Sequence, residues 1–196
     1  MNTARHYRMT ARRAMVEQTR ERILQAAYDA WLAEPYDQVT LDGVARAAGT
    51  SRQTVLRHFG SKDELALAVV DWQLSHEESA RRVEPGDVVA AVRHLVARYE
   101  TMGDANVRML ELEGRVAPID HLLVIARDSH RKWIEATFAP VLPGRGRRRD
   151  QLVLTLYAAT DVTVWKLLRR DLGRSRVQTE TIIRNLVEGA TGIPDR

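Results

Sequence analysis

Cysteine is absent from the 196 residues, which excludes disulfides, thiolate metal sites and a cysteine nucleophile. No apolar run approaches the ~18 residues a membrane span needs. No apolar segment follows the basic N-terminus as it would in a secretory signal. A cytoplasmic protein with no membrane partner is therefore expected. No stretch alternates apolar and polar residues long enough to make a strand. Glycine-rich phosphate loops and nucleophile elbows are missing as well. The six histidines (His6, His58, His76, His94, His121, His130) include no pair three or four apart, so a helical metal site has no spacing to use. Glu111 and Glu113 are two apart and diverge on a helix, which rules them out as a carboxylate pair. A protein that is not an enzyme, with no metal and no cofactor, is expected.

Acid is also missing locally. Arg5, Arg8, Arg12 and Arg13 precede the first carboxylate, Glu17. Such a basic arm can lie along phosphates or enter a minor groove, or it can simply be a solvated tail. The formal charge of the chain is +4 and its pI about 9.7. Residues 1–60 hold nine arginines against six acids, so most of the excess sits at one end. A non-specific nucleic-acid binder usually spreads its charge more widely.

What is present is helical periodicity. A first helix is expected from about Ala14 to Ala33, with Val16, Ile23, Ala26, Ala27, Ala30 and Trp31 on one stripe, stopped by Pro35. Thr40 is placed to cap a short helix over 41–48 that Gly49 ends. Ser51 is placed to cap a third helix through His58. Ser61 to Glu64 reads as a capping box opening a fourth. Beyond the loop Val83 to Gly86, helices are expected over 87–102, 105–113, 118–138, 150–172 and 176–189. Pro118 sits in a first turn, and residues 140–149 read as a mobile surface loop. The result is an all-α chain of about nine helices.

The segment from Thr40 to Phe59 carries the chemistry. Ala45 is small where two helices would cross, Gly49 permits the turn, and Val44, Ala48, Val55 and Phe59 fill the wedge. This is helix-turn-helix spacing, whose second helix enters a major groove; a structural helical hairpin can share it. The other side of the third helix holds Ser51, Arg52, Gln53, Thr54, Arg57 and His58, donors and acceptors with no acid among them, which suits a phosphate-lined groove. Arg52 matches a guanine edge and Gln53 an adenine edge. His58, Thr40 and Lys62 stand where phosphates pass, Lys62 at a helix start that favours an anion. Arg12, Arg13 and Thr50 complete the candidate DNA contacts.

The first 65 residues resemble the DNA-binding domain of the TetR family. The resemblance runs through Ile23-Leu-Gln-Ala-Ala27, Trp31, Tyr36, Thr40, Val44-Ala45, Ala48-Gly49, Ser51, Thr54, His58-Phe59, Ser61-Lys62 and Leu65, and is most specific in Arg57-His-Phe-Gly-Ser-Lys-Asp-Glu-Leu65. It implies an N-terminal three-helix reader (1–65) on a sequence-diverse helical ligand-binding and dimerisation domain (66–196). It also implies a dimer, a double-stranded DNA operator, and repression relieved by a small-molecule effector. Leu56 stands where the family commonly has a tyrosine on the DNA backbone, which points instead to a thymine-methyl or core contact. Pro35 replaces a common glycine.

The stretch Leu152 to Trp165 is apolar nearly all round, so it needs cover on most sides. Val177, Ile182, Ile183, Leu186, Val187 and Ala190 offer a second such surface. The resemblance implies a homodimer through these last two helices, about 150–190; a monomeric core helix is the alternative. Asp161 is the only charge between Asp150 and Lys166. It has two readings, a pair with an arginine such as Arg184 or a contact with a cationic or hydroxylated ligand. Met102, Met109, Glu113, Trp133, Tyr157 and Trp165 are the accompanying effector-pocket candidates, though residues of these types are often plain core.

Overall fold

The computed structural model describes residues 3–80 and 83–192, with side-chain surroundings from Arg13 onward except at Leu74 and residues 76–80. Every regular element among the described residues is helical: α1 (Thr3–Ala33), α2 (Leu41–Ala47), α3 (Arg52–Phe59), α4 (Lys62–Ala80), α5 (Val88–Leu110), α6 (Ala117–Thr137), α7 (Arg147–Thr160), α8 (Val162–Lys166), a π-helical turn (Leu167–Asp171) and α9 (Arg176–Thr191). None of these helices is long and apolar enough to cross a membrane. The chain forms two compact units, Met1–Glu77 and Glu78–Arg196. The division falls later than the 65/66 boundary expected from sequence, because Leu65 and Val69 of α4 belong to the N-terminal core and Trp72 packs against it.

Local chemistry accounts for most boundaries. Helix α1 starts at Thr3 rather than near Ala14. Residues 3–33 contain no glycine or proline, so nothing in the basic segment interrupts propagation. Thr40 caps α2 by accepting from Gly43 N, and Ser51 caps α3 by accepting from Thr54 N. Gly49 turns between them at φ 63°, a left-handed backbone that side chains disfavour. Ser61 accepts from Glu64 N at 3.1 Å. Ser175 and Gln178 complete the reciprocal capping box of α9.

The N-terminal core joins Ile23, Leu24 and Ala27 of α1 to Val39, to Val44, Ala45 and Ala48 around α2, to Val55 and Phe59 of α3, and to Leu65 and Val69. The C-terminal core gathers Val92, Val96 and Tyr99 of α5, Ile134 and Phe138 around α6, Leu156 of α7, Trp165 of α8, and Ile183 and Val187 of α9.

Several expectations for this second unit are corrected. The helices expected over 87–102 and 105–113 are one continuous helix, α5. Gly103 lies inside it and makes room for a partner: a Cβ there would stand 2.4 Å from the Trp165 ring. The helix expected over 150–172 is instead broken at Asp161 (ψ 149°), which ends α7 and begins α8. Asp161 accepts from Thr163 N at 2.9 Å and from Thr163 Oγ1 at 2.6 Å. The Thr160 carbonyl exposed by the break accepts from Tyr99 Oη at 2.9 Å. Arg184, offered as a partner for Asp161, lies within 3.6 Å of Glu188 on its own helix. Also, the expected 140–149 loop is shorter, since α7 begins at Arg147.

The π-helical turn is fastened to α5. Arg169 donates through Nε and Nη2 to the two Glu100 oxygens at 2.7 and 2.8 Å, and Trp165 Nε1 donates to Glu100 at 2.9 Å. Arg170 binds Asp104 in the same two-pronged way and lies over the Trp165 ring at 4.6 Å. Two-pronged arginine pairs are the strong form of this contact.

Two outcomes follow for the C-terminal unit. Gly103→Ala should destabilise it by about 1–3 kcal/mol in urea unfolding, through overpacking against Trp165; without that clash, better helix propensity would make the same change stabilising. The Glu100 carboxyl is pulled from 4.5 down to about 2, first by the Arg169 hydrogen bonds and also by Trp165, against opposing burial. Its folded pKa lies below the unfolded one, so its stabilisation is complete above about pH 4.5 and lost as pH falls toward 2. Glu100→Gln should flatten the stability profile across that window.

Candidate nucleic-acid interface

Helix α3 is eight residues long and its position is set by what it buries. Val55 and Phe59, four apart, point into the N-terminal core. That register leaves Arg52, Gln53, Leu56 and Arg57 exposed on the opposite side, with Thr54 and His58 half-buried at its margins. The helix has no acid in its first turn, so no residue of α3 itself offsets the positive end of its dipole. Ser51 is exposed, and its hydroxyl lies 3.0 Å from Thr54 Oγ1. Both side chains therefore hold the helix start as well as bordering the face. Leu56, 37% exposed, belongs to the outward surface rather than to the core.

The flanking candidates differ in character. Thr40 is exposed and uses its oxygen to cap α2, which leaves its hydroxyl proton available to an acceptor. Thr50 is half-buried, and its amide closes the turn onto the Ala45 carbonyl at 2.9 Å. Arg13 is exposed on α1, and the Arg12 side chain lies outside the described residues. The Lys62 ammonium lies 4.4 Å over the Tyr36 ring. Burial lowers its pKa, partly offset by Asp37 and Asp63. Tyr36 is itself fixed, donating to Asp63 Oδ1 at 2.5 Å and stacking on Trp31. Burial, then the bond to Asp63, raises its phenol pKa. His58 is pushed below its ordinary 6.5, first by burial and then by Arg57 and Arg20.

Two neighbours of this face were not singled out by sequence reading. Arg20 of α1 lies over the Phe59 ring at 5.1 Å, behind α3. Asp42 of α2 brings a carboxylate within 4.0 Å of Arg52 Nε. The absence of acid holds for α3 itself but not for its surroundings. Asp42 carried only a weak signal, its place in the first turn of the preceding helix.

The effector-pocket candidates separate into two groups. Met102 and Trp165 are buried, Trp165 completely, with its indole nitrogen bound to Glu100. Trp133 and Tyr157 are half-buried around His130, with ring centroids 5.4 and 4.8 Å away. His130 Nε2 lies 3.0 Å from Thr160 Oγ1. Glu113 is exposed and bound to Arg127 through both oxygens at 2.5 and 2.7 Å. The Asp161 charge raises the pKa of both Arg127 and Tyr157, in each case behind larger causes, so these residues share one electrostatic neighbourhood. Met109 is half-buried on the last part of α5.

Residues 23–69 match the family model described as bacterial regulatory proteins, tetR family. The chain is 43% identical over 57 residues to the HTH-type transcriptional regulator SrpR of Pseudomonas putida, a stretch that is 29% of this chain and 27% of that protein. It is 31% identical over 114 residues to the HTH-type transcriptional regulator AlkX of Mycobacterium tuberculosis, 56% of this chain and 54% of that one. The chain thus spans about a quarter to a half of the length of these curated relatives. Among solved structures, a TetR-family transcriptional regulator from Mesorhizobium loti superposes with a TM-score of 0.67, covering 91% of this chain and 97% of that one at 18% identity. At that identity the likeness is one of fold.

Proposed function

We propose that this chain, whose N-terminal domain belongs to the tetR family of bacterial regulatory proteins, is a sequence-specific DNA-binding transcriptional regulator that acts as a repressor. The observation that carries the reading is the outward face of α3. A short helix, capped at Ser51 and held by Val55 and Phe59, presents Arg52, Gln53, Leu56 and Arg57 with no acid of its own. In a major groove, Arg52 would address a guanine edge, Gln53 an adenine edge and Leu56 a thymine methyl. Ser51, Thr54, Arg57, His58, Thr40, Thr50, Lys62, Arg13 and Arg12 would meet the backbone. Such contacts position the helix without reading sequence.

A homodimer through α7 and α9 completes the reading. After the first turn of α7, Gln151, Leu154, Thr155 and Ala158 form an exposed stripe without charge. On α9, Val177, Gln178, Thr181, Asn185, Leu186 and Gly189 do the same. Leu154, Val177 and Leu186 are 61%, 71% and 47% exposed. The α9 charges instead pair along their own helix, Arg176 with Glu180 and Arg184 with Glu188. A charge-free strip of apolar and uncharged polar residues suits a two-fold partner surface. Two copies would set their α3 helices in successive major grooves, about 34–36 Å apart on a palindromic operator. A small-molecule effector in the C-terminal unit, near Trp133, Tyr157, Asp161 and the Glu113–Arg127 pair, would release the operator. A preference of about 1–3 kcal/mol for the DNA-incompetent state is sufficient.

Selection of bound duplexes from a random pool should return a palindrome; a pool that returns no preferred sequence sinks the reading. On the selected duplex, Arg52→Ala should cost about 1–3 kcal/mol and relax one base position. Lys62→Ala should weaken all duplexes alike and reduce the salt slope by about one. The double change Leu154→Glu, Leu186→Glu touches only exposed positions, so folding should survive while sedimentation shifts to the 22.3 kDa monomer and operator affinity falls. A dimer that persists places the interface elsewhere.

A further inference from the structure

Resting on the DNA-reading role of α3, we infer that Asp42 is a positioning residue for Arg52 and sets the discrimination between guanine-containing and other sites. The two side chains sit on rigid starts. Asp42 is in the first turn of α2, two residues after the Thr40 cap, and Arg52 is the first residue of α3, next to the Ser51 cap. Both caps bond to backbone amides, Thr40 to Gly43 N at 3.1 Å and Ser51 to Thr54 N at 3.2 Å. The helix-turn-helix thus fixes the backbone from which both side chains extend, and Asp42 Oδ2 lies 4.0 Å from Arg52 Nε.

The chemistry of that contact is directional. An acid 4.0 Å from Nε draws that edge of the guanidinium and leaves its two terminal nitrogens to supply the parallel donors that match guanine O6 and N7. The contact also answers a local conflict. A cation on the first residue of a helix opposes the helix dipole, and α3 supplies no acid there, so the compensating charge comes from α2. In the free protein the pair contributes little, since its side chains are 59% and 64% exposed and water screens them. Entry into a groove changes the balance. The surroundings then become less polar and both charges lose water, so the pair must be satisfied together.

At a guanine, Arg52 binds the base and Asp42 together, and the carboxylate is neutralised. At another base, Arg52 gains no bidentate partner, and Asp42 adds a negative charge facing phosphates. The acid therefore penalises wrong sites more than the right one, a repulsive element of the kind that specificity commonly needs.

The test uses the duplex recovered by the wild-type chain from a random pool, single-base variants of it, and a scrambled duplex. Affinities are measured at one salt concentration for the wild type, Asp42→Ala, Asp42→Asn, Asp42→Glu, Arg52→Ala and the Asp42→Ala, Arg52→Ala double variant. Circular dichroism during urea unfolding reports the fold of each. We expect Asp42→Ala and Asp42→Asn to reduce discrimination against the guanine-substituted duplex roughly tenfold, with affinity for the scrambled duplex unchanged or higher. Asp42→Glu should restore part of the discrimination. In the Arg52→Ala background, removal of Asp42 should no longer alter discrimination. A uniform loss on every duplex, or an equal loss of discrimination without Arg52, overturns the inference and leaves the DNA-reading role intact. A wild-type chain that prefers no sequence overturns both.

Discussion

The burial of Val55 and Phe59 against α1, α2 and α4 is the constraint on which the candidate interface depends. These two residues stand four apart, so they share one face of α3, and the core allows that face only one direction. Each buried side chain contributes about 1.5–3 kcal/mol, more than any exposed polar contact on the opposite side. The outward set of Arg52, Gln53, Leu56 and Arg57 follows as a consequence of packing rather than as an independent choice. The caps at Thr40 and Ser51 and the left-handed turn at Gly49 then hold the helix starts in register.

The same priority of packing over local preference governs the C-terminal unit. A helix from Asp150 to Leu172 would satisfy its own backbone, yet the chain breaks at Asp161. The break is tolerated because its loose ends find partners. Thr163 donates twice to the Asp161 carboxylate, and Tyr99 donates to the Thr160 carbonyl. What the break secures is the position of Trp165, which lies flat against Gly103 with its nitrogen on Glu100. The Trp165 nitrogen and the Tyr99 and Thr160 hydroxyls on the inner side are bound, and the charges of α9 are paired along the helix. Its outer strip, with that of α7, carries no charge beyond the first turns. A helix pair built only for solvent would show the reverse distribution.

Much of the fold was legible in the sequence because its signals are local. A hydroxyl three residues before a free amide, a glycine after an apolar stripe, and a proline in a first turn act over one helical turn, so Thr40, Ser51, Gly49, Ser175 and Pro118 read correctly without knowledge of neighbours. The position of α3's two faces was legible for the same reason. The unbroken course of α5 through Gly103 was not, since glycine between helical stretches resembles a stop until Trp165 is seen opposite it. The capping role of Asp161 was equally hidden. An acid amid apolar residues suggests a distant partner, and here the partner is two residues away, across a break that only packing against Tyr99 justifies.

The amino-acid order by itself determined that the chain is helical, where most helices start and stop, and which side of α3 faces outward, because each of these depends on contacts within a few residues. Tertiary structure decided how far α5 extends, where the α7–α8 helix breaks, and which charges meet: Asp42 with Arg52, Glu113 with Arg127, Glu100 with Arg169. Those pairings join residues on different elements, at separations where sequence spacing carries no distance, and only the packed core brings them within reach.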